Sequence, residues 1–273
     1  MKNVLIIVLA LLVFNGCMFD NDESGISGVK IAISPGHGLS YNEDTFEWSY
    51  QRPQYDDLRE DTYTQMFVLD YLIPCLLEKG AIVVSARSTQ KTEIGASGDE
   101  LWKEDSLNYL KTLDEEDLTS IYSDTVIRPY YALKQNSAYF ISIHANSFDT
   151  FQRGSHVFIH GQNDIAEIQD SVPDDLIESY FLAKLVNERL EIAGKEIDDS
   201  WQSYGLFRQN FGELRPIQED YQDTGIEIPA IMVFLGWIDN AQDREILKNP
   251  TYLRKSAEAI ANSIIDIENG YEP

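Results

Sequence analysis

KIAISPGHG (Lys30 to Gly38) and FISIHANS (Phe140 to Ser147) are two short apolar runs that each close on a histidine. Rich in β-branched and aromatic residues, each reads as a buried strand of a parallel sheet, with its histidine placed where the chain leaves the sheet. In open α/β sheets ligands collect in the crevice beyond the carboxyl ends of the strands, so His37 and His144 can converge although they lie far apart in the chain. Between them, Glu60 in LREDTYTQ opens a helical pattern. Two imidazoles and a carboxylate form a three-ligand set that suits Zn2+ with an open fourth position, the arrangement of a catalytic site rather than a structural one. The plain alternative is that each histidine is a hydrogen-bonded turn residue and the glutamate a helix-dipole partner. That alternative has to hold three times over.

The rest of the chain alternates strand and helix signals. Glu60 to Lys79 carries Met66, Phe67, Leu69, Leu72, Leu76 and Leu77 at helical spacing, is closed by Gly80, and should kink at Pro74. AIVVSAR (Ala81 to Arg87) is a second core strand reached by a β-α-β crossover. Pro129 starts a helix to about Ser137, and strands follow at Tyr139 to Ile143 and Ser155 to His160. Pro173 to Glu191 reads as a helix capped by Ser171 and ended by Gly194, and Pro250 to Glu268 as a C-terminal helix. The fold class is α/β, a three-layer α/β/α domain with a mostly parallel central sheet. Leu39 to Leu58 has no clear period and reads as a long loop beside His37, either a cleft wall or a plain surface insertion. Gly98 to Asp124 reads as an acidic helical insertion.

Taken together, PGHG, the Glu60 helix ending in LLEKGAIVVSAR, Arg128 sixteen residues before His144, the strand GSHVFIHG and the segment PAIMVFLGWIDNAQDREIL (Pro229 to Leu247) resemble the type-3 class of zinc-dependent N-acetylmuramoyl-L-alanine amidases. The resemblance covers nearly all of the chain beyond Gly28. It implies a cell-wall hydrolase that cleaves the amide between N-acetylmuramic acid and L-alanine in peptidoglycan, with His37, Glu60 and His144 on zinc. The family's last strand carries a glutamate that acts as general base, and the matching position here is Phe234. The catalytic residue is therefore unknown from sequence. Asp239, in the turn after that strand, and Glu213, Glu219 and Asp220, in a long acidic loop, are the carboxylates that could substitute; Glu227 lies too far down the strand.

Three further residues are candidate substrate contacts, each with a plainer role beside it. Asn146 either binds substrate or shapes the turn after the strand. Arg128 either supports the site, as in the family, or forms a surface ion pair. His160 either faces the cleft from the end of its strand or, like His156, is an exposed histidine on an edge strand.

Composition bounds the partners. The chain has 273 residues, and its 46 acidic against 21 basic side chains leave no cationic footprint for nucleic acid. Lys2 and the apolar run Val4 to Phe14 suit a signal peptide too short for a stable span, and Asn15-Gly16-Cys17 resembles a lipoprotein cleavage box. The alternative is ordinary signal cleavage with Cys17 incidental. The expected organisation is a signal peptide over 1–16, a flexible tether over 17–28 and an amidase-like catalytic domain over 29–273. Lipidation at Cys17 would place the protein at the cell envelope, membrane-anchored and facing the periplasm or exterior, with peptidoglycan as partner; no sequence feature names an activating protein. Cys75, the second of two cysteines, reads as a small core residue. The rival functional reading is a degenerate amidase-like lipoprotein that keeps zinc and binds peptidoglycan or regulates another hydrolase. A weaker one is another zinc hydrolase, such as a carboxypeptidase, on a similar sheet.

Overall fold

The computed structural model describes residues 25–42, 47–86, 128–129, 132–133, 135–147, 151–161, 166–167, 172–214 and 228–271. The signal segment, Cys17, most of the tether, the 98–124 segment, Ser171, Glu219, Asp220 and Glu227 lie outside the described residues. In chain order the elements are β1 (Lys30–Pro35), β2 (Leu39–Asn42), β3 (Glu47–Tyr50), β4 (Gln54–Tyr55), β5 (Leu58–Arg59), α1 (Glu60–Phe67), a π-helical turn (Val68–Leu72), α2 (Ile73–Glu78), β6 (Ile82–Ser85), β7 (Tyr139–Asn146), β8 (His156–His160) and β9 (Ala166–Glu167). A 3-10 turn (Asp174–Leu176) then leads into α3 (Ile177–Lys195), followed by β10 (Gly205–Gln209), β11 (Ala230–Trp237), α4 (Ala241–Leu247) and α5 (Pro250–Glu268).

Seven strands form one sheet in the order β6-β1-β7-β11-β8-β10-β9. The run from β6 to β11 is parallel, β8 lies antiparallel to β11, and β10 is again parallel to β8. The fold is thus mixed α/β with a mostly parallel sheet. Period-2 alternation divides the core. Ile31, Ile33, Ile141, Ile143, Ile231 and Val233 pack with Phe67 and with Val186 and Leu190 of α3 and Ile260 and Ile264 of α5. Ala32, Phe140, Met232 and Phe234 face the other way, onto Ala132, Leu214 and Ile228. Among the described residues this second face is covered by helical backbone at 128–129 and 132–133 and by the turn at 212–214, the portion of the expected third layer that is seen.

Several local expectations change. Leu39 to Leu58 is not a structureless loop: β2 and β3 form a hairpin and β4 and β5 a second short one. Pro74, which lacks the N–H that would bond back one turn, follows a π-helical turn, so the helix widens ahead of it. Gly194 lies inside α3 and not beyond it. A Cβ there would stand 2.0 Å from Cδ1 of Trp201, whose indole packs against the bare backbone. Helix α5 matches its expected span because Asn249 caps it, accepting from Thr251 N, and Pro250 occupies the first turn. Cys75 is half-buried. No helix among the described residues is long and apolar enough to cross a membrane.

Candidate metal centre

Parallel strands β1 and β7 are paired up to Pro35 and Ile143; β1 ends there, while β7 runs on beside β11 to Asn146, so His144 lies within its strand and not past the end expected at Ile143. The amide of Gly36 donates to Ile143 O at 2.7 Å, and an ideal Cβ on Gly36 would stand 2.5 Å from His144 Nδ1. Glycine is what lets this turn touch the imidazole. His37 then adopts φ 56°, a left-handed conformation that costs a non-glycine residue about 1 kcal/mol or more. Two contacts hold it: Arg128 Nη2 donates to His37 O at 2.6 Å, and Gly38 N donates to Asp61 Oδ1 at 3.1 Å.

Glu60, at the first position of α1, joins the histidines. Its Oε2 lies 3.3 Å from His37 Nε2 and its Oε1 3.1 Å from His144 Nδ1, while Ala145 N donates to Oε1 at 3.1 Å. One donor atom from each of His37, Glu60 and His144 falls within 4.8 Å of the others. Burial works against the charged carboxyl of Glu60, but the two imidazoles overcome it and hold the group well below the usual carboxylate range. Burial lowers His37. It also opposes the proton on His144, yet the carboxylates of Glu213 and Glu60 on its two ring nitrogens push that imidazole up to about 9.

The donors fit a cation. The Nε–H of Arg52 donates to His37 Nε2 at 2.9 Å and stands 3.5 Å from Glu60 Oε2, so a positive group lies against two of the three donors. Two imidazole nitrogens and one carboxylate oxygen match the chemistry of a zinc set with an exchangeable position. Arg52 comes from the chain between the two hairpins, and no signal in its own neighbourhood singled it out.

The remaining candidates separate. Arg128 is 1% exposed and so is not a surface residue; its Nη1 donates to Pro35 O at 2.7 Å and to Ser34 Oγ at 3.3 Å, beneath the His37 turn. Its position supports that turn instead of presenting itself to a ligand. Glu213 is 3% exposed, with Oε2 at 3.1 Å from His144 Nε2, Oε1 accepting from Ser34 Oγ, and Arg128 Nη1 at 3.6 Å. Burial opposes its charge, but His144 and Arg128 hold its carboxyl down to about 2. Asp239 is buried in the turn leading to α4. Asn146, at the end of β7, has its Oδ1 accepting from Ser147 N at 2.8 Å and its Nδ2 3.2 Å from His156 Nε2.

Phe234 is paired in register with His144, 5.2 Å between ring centroids, and stacks on His156 at 4.6 Å and 7°. The expectation for the two strand histidines is corrected. β8 lies inside the sheet, and both histidines are buried, at 1% and 5% exposure. Because β8 runs antiparallel to β11, its first residue, His156, pairs with Phe234 beside the site, whereas His160 is carried about 13 Å away along the strand and does not face the cleft.

Burial lowers His156 to about 3. The unfolded chain therefore binds a proton that the folded one refuses below about pH 6.5, and stability should fall with falling pH. Through this ring alone about 1.4 kcal/mol is lost between about pH 7.5 and about pH 5.5. Urea unfolding of wild type and His156→Phe at both pH values reads the difference. The same pH slope in both proteins would show that the ring is protonated in the native state.

The three-donor cluster thus lies at the carboxyl edge of a mostly parallel α/β sheet, where such sheets bind ligands. Residues 31–266 match the family described as N-acetylmuramoyl-L-alanine amidase, and the chain belongs to that family. It is 29% identical over 139 residues to an uncharacterised cell wall amidase of Bacillus anthracis, a match covering 51% of this chain and 23% of that protein. Among solved structures it is similar in fold to the amidase Ami1 of Mycobacterium smegmatis, with TM-score 0.59, 17% identity, and 90% and 100% of the two chains covered. It is also similar to AmiC2 of Nostoc punctiforme, with TM-score 0.54, 20% identity, and 89% and 99% covered. The CwlD amidase of Clostridioides difficile, solved in complex with the GerS lipoprotein, gives 0.55, 17%, 89% and 100%.

Proposed function

We propose that the protein is a zinc-dependent hydrolase of the amide joining N-acetylmuramic acid to L-alanine in peptidoglycan, held at the cell envelope through a lipid on Cys17. The observation that carries this reading is the convergence of His37 Nε2, Glu60 and His144 Nδ1 at the carboxyl edge of the sheet in a chain of the amidase family. Zinc held there would polarise the scissile carbonyl and bring a bound water to a pKa of roughly 7. The chain's own residues do the rest. Gly36, Asp61 and Arg128 fix the His37 turn, and Ala145 N fixes the Glu60 carboxylate.

Phe234 stands where the family resemblance places a general base, and a phenyl ring accepts no proton. Loss of a positioned acid/base costs about 10²–10⁴-fold in rate, so turnover should be slow but dependent on metal. The test is product analysis on purified muropeptides with protein as isolated, stripped by chelator, and reloaded with zinc. The expected result is release of free stem peptide that stops on stripping and returns with zinc. Retention on peptidoglycan with no product in any sample would establish the rival reading, a binder that does not turn over.

A further inference from the structure

Resting on the zinc reading of this site, we infer that Glu213 is the positioning residue of the centre: its carboxylate takes the Nε2–H of His144 and so turns the Nδ1 lone pair toward the metal. Three observations lead there. First, the His144 ring is addressed from both edges. Glu60 Oε1 lies 3.1 Å from Nδ1, on the side of His37, and Glu213 Oε2 lies 3.1 Å from Nε2, on the opposite side. With Glu60 engaged by the metal, Glu213 is the carboxylate left to accept an N–H from the ring, and a proton held on Nε2 leaves Nδ1 as the acceptor nitrogen.

Second, Glu213 is held for this purpose. β10 runs away from the site, yet the chain turns back after Gln209 so that Phe211 packs on Phe158, at 5.0 Å between ring centroids, and Glu213 arrives under β1 and β7. There its other oxygen accepts from Ser34 Oγ and faces Arg128 Nη1 at 3.6 Å. The same guanidinium donates to His37 O, so one buried cation ties the carboxylate behind one donor to the turn that carries the other. Ser142 Oγ, 2.9 Å from Nε2, completes the pocket around that edge of the ring.

Third, the geometry separates this role from that of a general base. The imidazole stands between Glu213 and the Glu60 and His37 donors, so the carboxylate would have to leave His144 to reach a water bound at those donors. Glu213 acts through His144. A carboxylate behind a metal-ligating histidine raises its basicity and fixes its orientation, and losing one typically weakens metal binding 10–100-fold.

The experiment is a zinc competition titration against a chelator, with long-range nitrogen NMR of the imidazoles, on wild type, Glu213→Ala and Glu213→Gln. With four histidines in the chain the ring signals are few enough to assign. Zinc-bound wild type should show the His144 Nε2–H shifted downfield by its hydrogen bond to the carboxylate, and Glu213→Ala should bind zinc about 10–100-fold more weakly with that shift lost. Glu213→Gln keeps a neutral acceptor in the same shape and should keep the hydrogen bond, with a smaller downfield shift and a weakening of only several-fold; it stands alone as the test if the alanine variant does not fold. Zinc bound by both variants as tightly as by wild type overturns this inference and leaves the metal site intact. A wild type that binds no zinc overturns the site and the inference together.

Discussion

His144→Ala and His37→Ala should each lose stoichiometric zinc, from about one ion per wild-type chain to a small fraction of that, with a dissociation constant raised by well over the roughly 100-fold that an outer-sphere loss produces. The expectation follows from the donor count. Zinc bound here would have three protein donors, so removing an imidazole would leave two and a cavity that water fills. Neither change should unfold the chain. His37 sits in a turn fixed by backbone contacts, Arg128 to its carbonyl and Asp61 to the following amide, that survive truncation of the ring. Metal analysis on dialysed protein, with circular dichroism as the folding control, decides it. Full zinc occupancy in the double variant would place the ion elsewhere.

Gly154→Ala should be among the most destabilising single changes in the protein, at roughly 4 kcal/mol and a fall of about 8–16 °C in melting temperature. Two effects combine at this residue. Its φ is +96°, which L side chains resist, and an ideal Cβ would stand 1.8 Å from the carbonyl oxygen of Gln202. A backbone oxygen cannot rotate away as a side chain can. The neighbouring contacts raise the cost of any shift, since Gly154 N donates to Asp243 Oδ2 at 2.8 Å and Tyr204 N donates to Ser155 O at 2.7 Å. Gly270→Ala isolates the first effect: φ is +81° with nothing within 4 Å, so it should cost only about 1–2 kcal/mol. Equal melting temperatures for the two variants would show that the Gln202 segment gives way freely.

The placement of the donors was legible because it depends on a local rule applied twice. β1 and β7 are apolar runs, with His37 past the end of the first and His144 two residues before the end of the second, and parallel pairing brings those ends together. The helix begun by Glu60 follows from its own periodicity, and α5 from the asparagine and proline at its start. What failed depends on strand order and direction, which periodicity does not encode. An apolar five-residue strand reads alike at an edge or inside a sheet and in either direction, so β8 concealed that His156, not His160, neighbours Phe234. Glu213 could be named only as one of several loop carboxylates, because its arrival depends on Phe211 folding back against the sheet. Ser142 carries a signal that could have been used: two residues before His144, it shares a strand face with that residue by period-2 alternation.

The reversal of β8 also dictates where this scaffold can be remodelled. In a uniformly parallel sheet the segments leaving the strands line the cleft, but on the far side of β11 the segments arriving at β8 and β10 do so. Those are the stretches at 151–155 and 198–204, fastened to one another through Arg153 to Asp198 and Gly154 against Gln202, with Tyr204 41% exposed at the rim. Loop grafts meant to change which ligands enter should be made there, and as a pair. Grafts placed after His160 would sit on the opposite edge of the sheet and leave selectivity untouched.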